Sequence, residues 1–200
     1  MKEQPLKIDA AFWDELWKTK FTNWDLKAVS PPLKAFIDTL ADKSISILIP
    51  GCGNAYEAEY LLSNGFTQVT VIDIAPTLTA ELLEKFTPSI GKELTVISGD
   101  FFKHTGQYDL ILEQTFFCAL DPKLRAAYAA QMHNLLKPNG KLAGLLFNTT
   151  FKGGPPFGGS KEEYISLFKE QFNLDKIEES TNSVKPRLGA ELFIELTPKN

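Results

Sequence analysis

Two glycines and two acids stand where they could do chemistry. Gly51 and Gly53 follow the apolar run Ile47-Leu48-Ile49, and Asp73 closes a second run, Val69 to Ile72, 22 positions after Gly51. Glycine lets a backbone turn tightly and approach a ligand closely. A helix starting behind such a turn offers unpaired N–H groups. An acid at the tip of the next strand can accept hydrogen bonds from ribose hydroxyls. A third run, Leu94 to Ser98, leads into Asp100-Phe101. There an acid could take an adenine amino group and an aromatic could flank the ring. These residues describe half of a nucleoside site.

The residues between them narrow the ligand. A dinucleotide fingerprint needs a third glycine where Tyr56 stands, because helix and strand pack closely there. A phosphate loop needs Lys-Ser or Lys-Thr behind the glycines, and neither occurs. No basic residue lies between Pro50 and Leu62, so a phosphate would find no cation. An adenosine without phosphate, as in S-adenosylmethionine, fits this pattern better than a nicotinamide dinucleotide.

Positioning those residues requires alternating elements. Short apolar runs bounded by turn residues read as buried parallel strands: Ile47–Ile49, Val69–Ile72, Leu94–Ser98, Tyr108–Glu113 and Lys141–Phe147. Helical patterns separate them: Ala55–Leu62, Thr77–Phe86 and Lys123–Leu136, with Lys137-Pro138-Asn139-Gly140 as a turn. A helix over Leu33–Ala41 precedes them. Late in the chain come a Gly/Pro-rich loop, Phe151–Ser160, a helix over Lys161–Gln171 and two strands, Leu174–Glu179 and Ala190–Leu196. The expected fold is α/β and Rossmann-like: a mostly parallel seven-stranded sheet, helices on both faces, and an antiparallel C-terminal edge pair. One domain over residues 1–200 is expected. Residues 1–30 form an aromatic-rich lead holding all three tryptophans. If Asp9 caps a helix over Ala10–Thr19, Trp13 and Trp17 share a face. That face either packs on the main domain or forms a lid over a flat or cationic ligand.

Composition excludes several partners. The formal net charge is −4 and the pI about 5.3, with no basic block, which disfavours nucleic acid. No apolar run approaches a membrane span, and the N-terminus has no secretory core. Cys52 and Cys118 are too few for a disulfide framework and lack zinc-site spacing; they read as buried thiols in a reducing cytoplasm. No metal is expected, and a monomer is favoured.

Several blocks in one order, FWDELWKTKFTNWDL, LIPGCGNAYEAEYL, EQTFFCALDPKLR, LLKPNGKL and GGPPF, resemble the thiopurine S-methyltransferase superfamily, and within it the plant-type halide and thiol methyltransferases. The resemblance implies a class I methyltransferase with S-adenosylmethionine as donor and S-adenosylhomocysteine as product. It implies that Trp13, Trp17, Trp24, Gly51, Asp73, Asp100, Phe101 and Gln114 surround the cofactor, Gly53 belonging to the same turn. Family members carry Tyr or Arg at Gln114 and often Tyr at Phe157. Gly153 to Phe157, Pro156 included, would line the acceptor pocket.

Methyl transfer from a sulfonium to a thiol, thiopurine, selenide, telluride or halide is an in-line displacement. It needs alignment and a dry pocket more than a base. His104 and His133 lie outside every motif, so no catalytic residue is assigned. Phe116, Phe117 and Phe157 would supply an apolar acceptor wall, although one of the adjacent Phe116 and Phe117 should point into the core. Arg125 and Arg187 could meet a charged substrate or water. The competing readings are a nicotinamide-dependent oxidoreductase, a cofactor-binding protein without turnover, and a methyltransferase acting on macromolecules.

Overall fold

The computed structural model describes residues 7–199. Its strands are β1 (Ile47–Pro50), β2 (Val69–Asp73), β3 (Leu94–Ser98), β4 (Tyr108–Gln114), β5 (Leu136–Phe147), β6 (Phe172–Glu179) and β7 (Glu191–Pro198). They form one sheet in the order β3-β2-β1-β4-β5-β7-β6. The pairs from β3 to β5 are parallel, and β7 runs antiparallel to both β5 and β6. The expected seven strands and antiparallel edge pair are therefore present.

The helices are α1 (Ala10–Lys18), α2 (Pro31–Asp38), α3 (Tyr56–Ser63), α4 (Pro76–Lys85), α5 (Arg125–Leu135) and α6 (Lys161–Phe168). They cover both faces of the sheet, which is why central strands such as β1 are buried along their whole length. Leu33, Ile37, Ala58, Leu61, Leu78 and Leu82 from α2, α3 and α4 pack on one face with Ile47, Ile49 and Val71. Tyr128, Met132, Leu135, Tyr164 and Phe168 from α5 and α6 pack on the other with Leu48, Ile72 and Ile111. Alternate strand residues thus feed opposite cores. Chain order reverses between β1 and β4, so the crevice beyond their C-terminal ends is the switch point where open α/β sheets bind ligands.

The N-terminal helix forms as its cap signal requires. Asp9 accepts from the Phe12 N–H at 3.1 Å, and Asp14 accepts from the Thr77 N–H at the start of α4 at 2.8 Å. Several boundaries differ from expectation. The Lys137–Gly140 turn lies inside β5, where pairing jumps from Tyr108↔Leu136 to Leu110↔Lys141; the four residues bulge out of a strand that continues on both sides. The last helix ends at Phe168, and β6 begins two residues early at Phe172. Among the described residues, no helix is long and apolar enough to cross a membrane and no acid, histidine or cysteine cluster could hold a metal.

Candidate active site

A cavity of about 1070 Å³ opens at the C-terminal ends of β1, β2 and β4, between the sheet and the N-terminal segment. It brings together Trp13, Trp17, Trp24, Gly51, Gly53, Asp73, Asp100, Phe101, Gln114, Phe116 and Pro156, all expected from the sequence. The first three come from α1 and the segment behind it. The others stand on strand ends or the turns that follow.

The glycine turn needs its glycines. Gly51 and Gly53 have φ of +57° and +49°, a region that penalises a side chain. A Cβ on Gly51 would lie 2.2 Å from the Phe116 ring, so the turn and the ring are in direct contact. Asp73 closes the turn by accepting from the Gly53 N–H at 3.3 Å and the Ala75 N–H at 3.0 Å. Burial raises its pKa, and these backbone donors pull it back down. Each oxygen keeps a further lone pair for a ligand hydroxyl. Asp100 is oriented in the same manner by the Phe102 N–H at 2.9 Å.

Tyr56 does not crowd the helix against the strand. Its hydroxyl reaches out to Asp25 at 3.3 Å, and Asn54 Nδ2 donates to the same carboxylate oxygen at 2.9 Å. The side chain in the third glycine place therefore ties the N-terminal segment to α3. A second tie runs from the Ser30 N–H to the buried Glu57 carboxylate at 3.1 Å, and a third from Arg187 Nη2 to the Trp24 carbonyl at 2.9 Å. These hold Trp24 edge-on to Trp13 and Trp17, with ring centroids 5.6 and 6.0 Å apart.

Two expected wall residues do not line the cavity. Phe117 is 1% exposed and packs on Tyr128 and Tyr164; it is the core member of the Phe116-Phe117 pair, since the turn sends adjacent side chains apart. Phe157 folds its ring against Gly154 and donates its N–H to the Cys118 carbonyl at 2.6 Å. Pro155, Pro156 and Phe151 take the wall position instead.

Sequence reasoning missed what holds that wall. Glu113 is wholly buried and accepts from the N–H groups of Phe116 and Phe117 at 2.7 and 2.9 Å and from the Tyr128 hydroxyl at 2.6 Å. Gly144 on β5 leaves room for it, since a Cβ there would lie 2.4 Å from that of Glu113. An acid directly after the buried apolar run Leu110-Ile111-Leu112 was the available signal. Arg125 is not solvated. It pairs with Glu163, donates to the Gly158 carbonyl at 2.7 Å and stacks over Phe117, so it anchors the Gly/Pro loop. Arg187 lines the cavity but is engaged by Glu191 at 3.3 Å as well as by Trp24. Gln114 at the end of β4 lines the cavity and has a buried Oε1 with no partner among the described residues.

Cys52 and Cys118 both line the cavity. Burial pushes both thiols up, and the nearby Asp73 and Glu113 carboxylates add to the effect. They are thiols rather than thiolates, and Cys118 donates to the Thr115 carbonyl. His104 binds Tyr108 and His133 binds the Lys199 carbonyl, both away from the cavity.

Comparison with known proteins agrees with this geometry. The family model for thiopurine S-methyltransferase matches residues 8–193. A probable thiol methyltransferase from Arabidopsis thaliana is 34% identical over 184 residues, covering 90% of this chain and 81% of the relative. A thiopurine S-methyltransferase from Vibrio cholerae is 29% identical, covering 80% and 81%. A magnesium protoporphyrin IX methyltransferase from Synechocystis, solved with bound S-adenosylmethionine, superposes with a TM-score of 0.75 at 13% identity, covering 98% of this chain and all of the other; at that identity it shows the class I methyltransferase fold alone. The nicotinamide reading falls with these matches: the chain belongs to the thiopurine S-methyltransferase family and is an S-adenosylmethionine-dependent methyltransferase.

Proposed function

We propose that the protein transfers a methyl group to a small soft nucleophile, a thiol, thiopurine, selenide, telluride or halide, by in-line displacement without a dedicated general base. The observation that carries this reading is the set of ionisable groups around the cavity. Among the described residues they are carboxylates, Tyr56, two protonated thiols and Arg187, already paired. No histidine or lysine stands among them to take a proton, and none is needed for an acceptor that arrives as an anion.

The residues present suit the donor. S-adenosylmethionine, when bound, supplies a methyl group on a good leaving group. The Gly51–Gly53 turn gives the close backbone approach, and no cation is wasted on an absent phosphate. Asp73 would accept from ribose hydroxyls, and Asp100 with Phe101 would hold adenine. The Gln114 amide can pair with a polar group of the methionine moiety. Trp13, Trp17 and Trp24 form a lid that excludes water and screens the sulfonium charge. Phe116, Phe151 and Pro156 align the acceptor on the far side of the methyl group.

The test is a panel of thiophenol, a thiopurine, hydrogen sulfide, hydrogen selenide and iodide, following release of S-adenosylhomocysteine. At least one acceptor turns over well above the acceptor-free rate. Background rates throughout would sink the acceptor assignment while leaving the fold and cofactor family intact.

A further inference from the structure

The buried carboxylate behind the acceptor wall has a consequence for how the cavity responds to pH. We infer that Glu113 is a positioning residue whose ionised form holds the Phe116 turn against Gly51, so that adding a proton to Glu113 loosens the ligand cavity without unfolding the protein. This deepens the methyltransferase reading and rests on it only in that both concern the same cavity.

The argument is a count of protons and acceptors. Three donors converge on Glu113: the Phe116 and Phe117 N–H groups on Oε1 and the Tyr128 hydroxyl on Oε2. An ionised carboxylate accepts all three. A protonated one brings a fourth hydrogen to a site whose acceptors are its own two oxygens and the Tyr128 oxygen. Tyr128 is fully buried and has no other partner among the described residues, so one donor must go unpaired. Such a group costs its full desolvation. The same proton turns the charge-assisted bonds from the Phe116 and Phe117 N–H groups into weaker bonds to a neutral oxygen, in a turn that is already demanding, since Thr115 has a φ of +58°. From that turn Phe116 reaches Gly51 and packs edge-on to Phe101 at 5.1 Å. The Cys118 carbonyl of the same turn holds Phe157 and with it the Gly/Pro loop.

The titration is within reach of ordinary buffers. Burial pushes the Glu113 carboxyl up to about 7 against the pull of its three donors. The titratable groups facing it are Tyr128, Cys118 and Tyr164, all held neutral by burial. Gly144 faces it from β5 without charge.

The experiment is binding of S-adenosylhomocysteine between pH 5.5 and 8.5, read by fluorescence of the tryptophans that line the cavity. The wild type should bind roughly tenfold more weakly at the acid end, the value of about one lost buried hydrogen bond. Glu113→Gln places an amide where the protonated acid would be. It should bind at the weak level throughout and lose the pH limb. Tyr128→Phe removes one stabilising donor and should move the limb to higher pH. A Glu113→Gln variant that keeps the wild-type affinity at pH 8.5, or a limb that persists in it, would overturn the proposal. Turnover by the wild type at pH 8.5 is scored separately, so a failed acceptor panel and a failed Glu113 assignment give different results.

Discussion

The glycine turn after β1 and the aromatic turn after β4 touch each other across the switch point, yet they are held in different ways. The first is closed by the end of the neighbouring strand, by one carbonyl and one carboxylate. Gly51 N–H donates to Ile72, and Gly53 N–H donates to Asp73 only 20 positions on. The second hangs on buried side chains. Glu113 fixes its backbone, and Arg125, stacked over Phe117, reaches the Gly158 carbonyl 33 positions away. Closure on the neighbouring strand makes the glycine turn depend on the β1–β2 pair. Side-chain ties make the aromatic turn depend on the packing around Glu113, Tyr128 and Arg125.

That contrast can be broken at its strongest point first. Gly51→Ala puts a side chain at positive φ and into the Phe116 ring, so it should cost about 3 kcal/mol in cofactor affinity. Calorimetric titration with S-adenosylhomocysteine measures this, and near-normal affinity would show that the two turns are not in rigid contact. Asp73→Ala should weaken the same binding by roughly 1–3 kcal/mol, from hydrogen bonds lost to an ionised acceptor. Unchanged affinity would remove Asp73 from the ribose. Arg125→Met keeps the stem packing on Phe117 but releases Gly158 and Glu163. It should lower stability to urea by about 2 kcal/mol and raise the KM of the acceptor while leaving S-adenosylhomocysteine affinity within twofold. Equal damage to both ligands would erase the distinction between the two sides. The smallest effect belongs to Tyr56→Phe. Loss of one partly exposed hydrogen bond to Asp25 should weaken cofactor binding by about 0.5–1 kcal/mol, with the urea midpoint unchanged. A change in stability without a change in binding would mean that Tyr56 serves the fold alone.

Within this cavity the donor side was the part legible in advance. Gly51, Gly53 and Asp73 lie on consecutive elements, and short-range rules of strand, turn and helix bring them together. The pairing of Phe116 and Phe117 was half legible: one had to face inward, but which one depends on the turn that Glu113 imposes. Phe157 was placed on the acceptor wall because the resemblance of the GGPPF block implies it; its backbone bond to Cys118 and its contact with Gly154 turn it away. Tyr56 was read only as the loss of a glycine, because Asp25 is 31 positions away and no local pattern links them.

The alternation of buried runs and amphipathic helices was enough by itself to determine the mostly parallel sheet, and the glycines, Asp73 and the missing basic residues were enough to point to an adenosine ligand without phosphate, since these follow from periodicity and from backbone geometry that few residues tolerate. Only the tertiary structure decided which aromatics face the cavity, that Arg125 and Arg187 are structural ties, and that a buried acid supports the wall. Those outcomes depend on which distant groups meet in a space too small for water, and a buried hydrogen bond or charge is satisfied by proximity in space rather than along the chain.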